Sequence, residues 1–591
     1  MGGRVSIDAA FDFLDAQMDR FHRSTIVYAG PGFSAYYPSG KIGDVADISA
    51  DQDGSSLRID YRPARSSGLG WAGITFLYPD GNWGRSPGRN LSGATLLTFW
   101  GCADHDTYAE FSIGGIRDSS LPYSDSLTRR STGLVAVSTT WQRYGIDLKG
   151  ADLSSVIGAL AVATNRDKDT RSRSIFLDDV TIDLPRLEAP RFVQSYVAED
   201  CPDGGSRNSA QIYDQAVVLL AFLARGRPDD LLRAELIARA LVEAQDKDRT
   251  FKDGRLRNAY ASGELIDPQA GTTRIPGEYD RIAQAYLEDE NAVGSDTGNM
   301  AWAALALVQA HALLPKRAGA PYLNAALSLA RWIVANTRMD DALGGFSAGM
   351  QGFERQAGVP EGQDRKNYRS TEHNIDLAAL FEHLAATVGR DTNEGRYWSE
   401  QMAHARSFVD KMRNDDAAAP YFWTGTGAGA AINKSVIPLD VQTWAVLGTR
   451  EPASEASALD WALKHCTEKG RSDAFDFNCN DGDGAWWEGT AQVAAALRWL
   501  KRAPDAAQVL TQLEQAQTKA GRAAGAMPAA SRCGLTTGFD FTFRSGKTLP
   551  WLYPNWPHIG ATAWFIFAAL GVNPYFVAEG PAGARPHALG N

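Results

Sequence analysis

Six segments in the C-terminal part of the chain are small or apolar on every side of a predicted helix, and each begins with a polar or aromatic cluster. They are "SAQIYDQAVVLLAFLA" (209–224), "TGNMAWAALALVQAHALL" (297–314), "STEHNIDLAALFEHLA" (370–385), "PLDVQTWAVLG" (438–448), "WEGTAQVAAALRWL" (487–500) and "HIGATAWFIFAALG" (558–571). A helix that is apolar all round is buried, whereas a surface helix carries a single apolar stripe. The pattern therefore predicts six buried helices.

Amphipathic segments alternate with the buried ones. They are "DDLLRAELIARALVEAQ", "APYLNAALSLARWIVANT", "GRYWSEQMAHARSFVDKMR", "SEASALDWALKHC" and "DAAQVLTQLEQAQ". Repeated pairs of one buried and one covering helix are typical of helical hairpin arrays. Residues 187–576 are therefore predicted to form an (α/α)6 toroid, with the buried helices as its inner ring.

The twelfth helix of such a toroid is missing from this region. The N-terminal stretch "SIDAAFDFLDAQMDRFH" has apolar residues on one face, with Ser6 as a suitable N-cap. We predict that residues 1–24 form a helix that packs on the toroid. The alternative is a helix that only covers the domain that follows.

Residues 25–186 show short β-rich runs separated by Gly, Pro, Asp and Ser, which indicates a β-sandwich. The order "WQRYGIDL" (141–148), "VIGALAVAT" and "IFLDDVTID", with Asp178 and Asp179, resembles the jelly rolls of carbohydrate-binding modules. The alternative is a sandwich used only for packing or oligomerisation. The predicted fold class is thus multidomain α and β, with a jelly-roll-like β-sandwich before the toroid and a loose tail at 577–591.

Charge and hydropathy exclude several partners. The formal net charge of -11 and the pI near 5.4 argue against a nucleic-acid binder, which needs Lys and Arg at phosphates. No apolar run is long enough for a membrane span or a signal peptide in the chain as given. The protein is expected to be secreted or periplasmic if a leader precedes this sequence, and cytoplasmic otherwise. The oligomeric state stays open.

The five cysteines, at 102, 201, 466, 479 and 533, form no CxxC pair, so neither a zinc site nor a disulfide framework is expected. The stretch "DFNCNDGDGAWWE" (476–488) suggests a calcium loop, but neither register of the helix-loop-helix motif places Gly at position 6 together with oxygen ligands at 1, 3, 5 and 12. We interpret it as a tight turn before a buried helix. No metal and no cofactor are predicted.

Polar residues recur where the buried helices begin. Because inner helices of a toroid run the same way, their first turns share one end of the barrel. The residues at these starts, and the aromatics beside them, are Tyr213, Asp214, Asp296, Trp302, Glu372, His373, Asp376, Asp440, Gln442, Trp444, Trp487, Glu488, Gln492, Trp556 and His558. Any single acid here is also explained by helix capping. Together they predict a ring of carboxylates and aromatics, as glycosidic bond cleavage requires.

The blocks "YRSTEHNIDLAALFEHLA", "LDVQTWAVLG", "FDFNCNDGDGAWWEGTAQVAAAL" and "PHIGATAWFIFAALGVNPY" resemble bacterial proteins of the six-hairpin glycosidase superfamily over residues 190–576. The resemblance implies an (α/α)6 toroid and a glycoside hydrolase, most often an inverting one. The same fold also carries polysaccharide lyases and sugar epimerases, so fold alone does not fix function.

Among the acids we rank Glu372 first as a catalytic residue, Glu488 second, and Asp296 and Asp440 as possible bases; the other residues at the helix starts are predicted to bind substrate. Two long loops, 248–296 and 344–368, are predicted to build walls over the site. They add Arg257, Tyr260 and Tyr368 as substrate contacts.

Three other functions compete with glycoside hydrolysis. A polysaccharide lyase would use Tyr260, His373 or His558 as base and Arg257 against a uronate, although the acid-rich rim repels polyuronates. A sugar epimerase would use the histidines. A non-catalytic carbohydrate-binding protein would use the acids only as caps. The expected partner in each case is a polysaccharide or oligosaccharide.

Overall fold

The structure is a computed structural model. It describes residues 2–579 except 23, 29–39, 44–47, 54–55, 64–69, 79–80, 118, 184–188, 198–208, 267–270, 281–284, 315–320, 354–362, 415–419, 472, 522 and 544–545. The chain forms two compact units: the first comprises Met1–Gln17, Val193–Tyr260 and Glu290–Asn591, and the second Met18–Phe192 and Ala261–Asp289. Of the predicted tail at 577–591, all but the first three residues lie outside the described part.

The helices occur almost wholly in the first unit. They are α1 (Gly2–His22), α2 (Ile212–Arg225), α3 (Pro228–Lys247), α4 (Glu290–Val293), α5 (Thr297–Leu313), α6 (Tyr322–Thr337), α7 (Thr371–Val388), α8 (Asn393–Lys411), α9 (Leu439–Leu447), α10 (Ala456–His465), α11 (Trp487–Trp499), α12 (Ala503–Ala516) and α13 (Ile559–Leu570). Two 3-10 helices span Pro452–Glu455 and Pro574–Glu579.

Six of these helices pack in a closed cycle. The order is α2, α5, α7, α9, α11, α13 and back to α2, and these are the six segments predicted to be buried. In α13, every residue from Ile559 to Ala568 is buried, as an all-apolar sequence requires. This packing order is the one that an (α/α)6 toroid needs.

The amphipathic helices each pack beside one member of the cycle: α3 on α2, α6 on α5, α8 on α7, α10 on α9 and α12 on α11. The N-terminal helix α1 also contacts this unit, because the ring of Phe11 lies 6.3 Å from that of Phe222 and the Arg225 guanidinium lies 3.5 Å from the Phe11 ring centre. The first part of α1 therefore packs on α2.

The second unit is built from antiparallel strands. They are β1 (Ser24–Tyr28), β2 (Gly40–Gly43), β3 (Ile48–Asp53), β4 (Ser56–Tyr61), β5 (Trp71–Leu77), β6 (Leu96–Ala103), β7 (Thr107–Ile113), β8 (Arg130–Val137), β9 (Gln142–Asp147), β10 (Gly158–Asn165) and β11 (Arg173–Asp183). One sheet has the order β3-β4-β11-β6-β9 with β1 beside β11, and the other has the order β2-β5-β10-β7-β8. Phe99 of β6 and Phe111 of β7 meet at 4.6 Å, so the two sheets share one core.

Short strands make up the rest. They are β12 (Arg191–Phe192), β13 (Ser209–Gln211), β14 (Ala259–Ala261), β15 (Gly263–Glu264), β16 (Gly277–Asp280), β17 (Ala285–Glu288), β18 (Ser295–Asp296), β19 (Gly349–Gln351), β20 (Asp364–Lys366), β21 (Arg413–Asn414), β22 (Tyr421–Phe422), β23 (Gly425–Thr426), β24 (Ile432–Asn433), β25 (Met527–Pro528), β26 (Leu535–Thr542), β27 (Thr548–Tyr553) and β28 (Pro557–His558). Strands β26 and β27 pair as an antiparallel hairpin.

Residues 261–289, expected inside the toroid domain, belong instead to the second unit. The expectation of no disulfides was wrong: Cys466 is bonded to Cys479, and Cys533 is also in a disulfide. The first pair forms because the backbone folds back at this point, where the Asp476 N–H donates to the Cys466 carbonyl at 2.8 Å. None of the described helices is long and apolar enough to cross a membrane.

Candidate active site

The first turns of all six helices in the cycle meet at one place. Asp214 of α2 and Glu488 of α11 both contact His558, the N-cap residue of α13. Glu372 of α7 hydrogen-bonds Asp440 of α9, and Asp296, the N-cap residue of α5, acts electrostatically on Glu372. These side chains come from positions up to 344 residues apart, and only a ring of parallel helices brings them together.

Two linked hydrogen bonds fix the position of the Glu488 carboxyl group in this cluster. Tyr213 donates a 2.6 Å hydrogen bond to its Oε1, and the Trp564 indole N–H in turn donates to the Tyr213 hydroxyl at 2.6 Å. Burial raises the pKa of Glu488 to about 7, while His558 and the Tyr213 hydrogen bond partly offset this. Glu488 therefore holds a proton close to neutral pH.

His558 links Glu488 to a second carboxylate. Its Nε2 lies 3.1 Å from Asp214 Oδ1, its Nδ1 lies 3.6 Å from Glu488 Oε2, and the Tyr196 ring stacks on its imidazole at 4.3 Å. Burial opposes a charged imidazole, but Asp214 outweighs it and raises the pKa of His558. The Asp214–His558 pair thus places a positively polarised group beside Glu488.

Glu372 and Asp440 form a carboxyl pair. Burial raises the pKa of both groups, and the negative charge of Glu372 raises that of Asp440 well above its ordinary value. The hydrogen bond between them lowers the pKa of Glu372 and raises that of Asp440. The two groups therefore share one proton, because two adjacent carboxylates do not both ionise, and the hydrogen bond between them favours Asp440 as the group that holds it. Ser370, two residues before Glu372, is the N-cap of α7. The first turn of this helix is therefore capped by Ser370 and also contributes Glu372 to the cluster.

His373 lies beside this pair with its Nε2 3.2 Å from Glu372 Oε1. Burial lowers its pKa to about 4, so the imidazole is neutral at physiological pH. Its Nδ1 is buried and has no hydrogen-bond partner among the residues that the structure describes. A methyl group on Gly298 would lie 2.4 Å from His373 Cδ2, so glycine is needed where α5 passes this ring.

Asp296 is an ion-pair partner rather than a free base, since Lys366 of β20 donates to its Oδ1. Tyr368, two residues further on, is 40% exposed and so is available to a ligand.

Asp376 and the tryptophans of the inner helices form the base of the cluster. Asp376 accepts a 2.6 Å hydrogen bond from the Tyr575 hydroxyl, and burial raises its pKa well above the ordinary range. Trp302 lies at the centre of an aromatic group, with ring distances of 5.6 Å to Tyr213, 5.5 Å to Trp444 and 4.7 Å to Tyr575. Asp376, Trp302, Trp444 and Tyr575 are buried, whereas Tyr213 is only partly buried, so this group supports the site from the protein interior.

Several residues predicted to contact substrate are bonded to other protein groups or are buried in this structure. Arg257 forms a buried ion pair with Asp248 at 2.6 Å, and Tyr260 donates to the same carboxylate at 3.2 Å. Gln442 bonds the backbone N–H and carbonyl of Phe422. Gln492 accepts from Thr443 at 3.0 Å. Trp487 and Trp556 are buried, at 6% and 3% exposure.

Four residues of the cluster were not selected from the sequence. They are Tyr196, Lys366, Tyr553 and Tyr575. Tyr553 lies in "LPWLYPNW", just before α13, so a reading of the whole connection before each inner helix finds it. Lys366 is found in the same way in "DRKNY", just before α7, whereas Tyr196 and Tyr575 reach the cluster only through long-range folding.

The stretch at 476–488 forms a turn stabilised by side chains. Asp476, Asp481 and Asp483 place carboxylate oxygens within 4.8 Å of one another. Burial, and then the hydrogen bond and charge of Asp481, raise the pKa of Asp476 to about 8. The expectation that the chain binds no metal stays a prediction.

No protein-family model matches the sequence, and no curated protein matches it. Among solved structures, the chain is similar to an alpha-amylase from Clostridium perfringens, with 10% identity, a TM-score of 0.42, and coverage of 66% of this chain and 93% of that one. It is also similar to the cellobiose 2-epimerases of Bacillus thermoamylovorans B4167 (10% identity, TM-score 0.42, coverage 64% and 92%) and Spirochaeta thermophila DSM 6192 (14% identity, TM-score 0.43, coverage 65% and 90%). Glycosidases and sugar epimerases are two of the groups that the sequence resemblance names. At these identities and scores, the matches do not assign an activity to this chain.

Proposed function

We propose that the protein is a glycoside hydrolase in which Glu488 is the general acid and Glu372 the general base. The observation that supports this most is the contrast between two carboxyl groups in one cluster. Burial raises the pKa of Glu488 to about 7 and keeps this group protonated near neutral pH, whereas the hydrogen bond with Asp440 lowers the pKa of Glu372 against the rise that burial causes. Pairs of acids whose environments separate their pKa values are the usual acid and base of such enzymes.

The reaction follows from these roles. The Glu488 proton moves to the glycosidic oxygen while the bond between the anomeric carbon and that oxygen breaks. A water molecule adds to the anomeric carbon and gives its proton to Glu372. Attack by water in a single step inverts the anomeric configuration, which is the outcome that the sequence resemblance implies.

The charge of the site indicates an uncharged glycan. Lys366 and His558 are cationic groups of the cluster, and each is already paired with a carboxylate, Asp296 or Asp214, so neither is left to bind a uronate carboxylate. A polyuronate would bring further negative charge to this cluster, which disfavours a lyase. The predicted sugar binding by the β-sandwich of the second unit stays a prediction.

Substitution of Glu488 and Glu372 by Gln tests the proposal on a panel of neutral polysaccharides. Both variants should lose the release of reducing ends that the wild-type protein shows. An unchanged rate in both variants would remove these carboxyl groups from the mechanism.

A sugar epimerase is the second candidate, and the neutral imidazole of His373 favours it, because its Nδ1 has no hydrogen-bond partner within the described part of the chain. In an opened sugar this nitrogen would remove the proton from the carbon next to the carbonyl. Incubation in D2O then separates the two reactions, since an epimerase places deuterium on that carbon without cutting the chain.

A further inference from the structure

The hairpin of β26 and β27 begins and ends beside the catalytic cluster. Tyr553, the last residue of β27, stacks on Trp486 with ring centres 5.6 Å apart and meets Phe477 at 5.8 Å. Trp486 is the N-cap of α11, two residues before Glu488. Burial raises the pKa of the Tyr553 hydroxyl well above its ordinary value, and the charges of Glu488, Asp440 and Glu372 raise it further. Tyr553 thus stacks on the N-cap residue of α11 and lies within electrostatic reach of both members of the proposed acid and base pair.

The same strand leads outward into solvent. Residues at alternate positions of a strand lie on one face, so Leu549 and Trp551 share the face of Tyr553. Trp551 is 55% exposed, the largest exposed fraction among the large apolar side chains that the structure describes, and Leu549 is 42% exposed. Exposed apolar side chains that adjoin one another, unlike single scattered ones, mark a binding surface.

Hydrogen bonds hold the hairpin against the loop before α11 and against β19. Thr536 donates from its hydroxyl to Asp481 at 2.7 Å, and Gln351 donates to the Thr542 carbonyl at 2.9 Å. Within the hairpin, the Thr537 hydroxyl donates to the Trp551 carbonyl at 2.8 Å. These bonds fix the hairpin, and therefore Trp551, in position relative to Glu488.

We propose that Trp551, with Leu549 beside it, is a stacking platform for sugar rings that extend beyond the cleaved bond. An indole face packs on the apolar face of a sugar ring, and a platform continuous with Tyr553 lies in line with the catalytic centre. The substrate is then an oligosaccharide or polysaccharide chain rather than a disaccharide. This inference rests on the proposed hydrolase function but concerns binding, so it has its own readout.

The test compares Trp551→Ala with Leu552→Ala, which removes an equally apolar, 42% exposed neighbour on the opposite face of β27. Both are made in the inactive Glu488→Gln background, and binding is measured by affinity electrophoresis in gels that contain soluble β-glucan, mannan, xylan or galactan. We expect at least a tenfold loss of binding to the retained polymer for Trp551→Ala and little change for Leu552→Ala.

Equal retardation of the Trp551→Ala and Leu552→Ala proteins, or no retardation of the parent protein by any polymer, would overturn the platform. Binding lost only in Trp551→Ala, while the wild type releases no reducing ends, would support the platform and reject the hydrolase. The other possible occupant of this face is a second copy of the chain, which size-exclusion chromatography detects. An oligomer that dissociates in Trp551→Ala would place that second copy on this face and overturn the proposal.

Discussion

Tyr213 and Glu488 are 275 residues apart in sequence, yet the phenol donates a 2.6 Å hydrogen bond to the carboxyl group. The bond joins the first turns of two helices of the cycle, α2 and α11. It lowers the pKa of Glu488 against the larger effect of burial, so it adjusts the pH at which the acid loses its proton.

Removal of this hydrogen bond should shift the pH profile. Glu488 as general acid works while protonated, so kcat/KM of the wild type should fall above a pH near 7. Tyr213→Phe removes a bond that favours the ionised form, so the falling limb should move to higher pH by up to about one unit. Tyr575→Phe, whose hydroxyl bonds Asp376 instead, is the matched control and should leave the limb in place.

Glu488→Gln should lower kcat by roughly 10²- to 10⁴-fold, the usual contribution of a general acid. The amide oxygen still accepts from Tyr213, so the thermal unfolding temperature should change little. Glu394→Gln makes the same change in the first turn of the outer helix α8 and should leave kcat unaltered. Retention of more than half of the wild-type rate in Glu488→Gln would exclude it as the acid.

The paired carboxyl groups should differ in their response to substitution. Glu372→Gln removes the base and should cost about 10²-fold or more in kcat. Asp440→Asn keeps an N–H that donates to Glu372, so its loss should be on the order of tenfold. If the two losses are reversed, Asp440 rather than Glu372 is the base.

The aspartates of the 476–488 turn should make stability depend on pH. Asp476 has a folded pKa of about 8, against 3.8 for the free group, so the folded state retains a proton that the unfolded state releases. Stability is then fully present below about pH 4 and falls, by an amount on the order of a few kcal/mol, as pH rises to about 8.

Asp481→Asn should weaken this dependence. It removes the neighbouring negative charge and places an amide donor against Asp476, which lowers the pKa of Asp476 toward its ordinary value. The thermal unfolding temperature between pH 5 and pH 9 should fall less than in the wild type. Asp483→Asn is the control, because Asp483 contributes least to the shift, and a larger effect there would contradict the assignment.

The sequence was sufficient to predict the inner helices, since burial on all sides imposes an apolar pattern that is readable locally. It was also sufficient to place Glu372, Asp440, Glu488 and His558 together, because parallel inner helices bring their first turns to one end. The prediction did not depend on any single motif.

The rest depended on contacts between distant segments, which have no periodicity. Arg257 looked available because it lies in a polar loop, but Asp248 pairs with it in the interior. The disulfide between Cys466 and Cys479 depends on a chain reversal between them. The contact of Tyr553 with Trp486 depends on how the β26–β27 hairpin packs against the loop before α11. Residues 261–289 join the strands of the other unit, which their position between two helices does not show.

The central claim is tested most directly by one-dimensional proton NMR of the wild type with the polysaccharide panel in D2O. The proposed chemistry predicts new reducing-end anomeric signals that grow as internal glycosidic signals decline, with the inverted anomer first, and no such change with Glu488→Gln. Unshortened chains that lose a ring C–H signal to deuterium would instead show an epimerase. Unsaturated uronate signals from a polyuronate added to the panel, or no change with any glycan, would equally contradict the hydrolase.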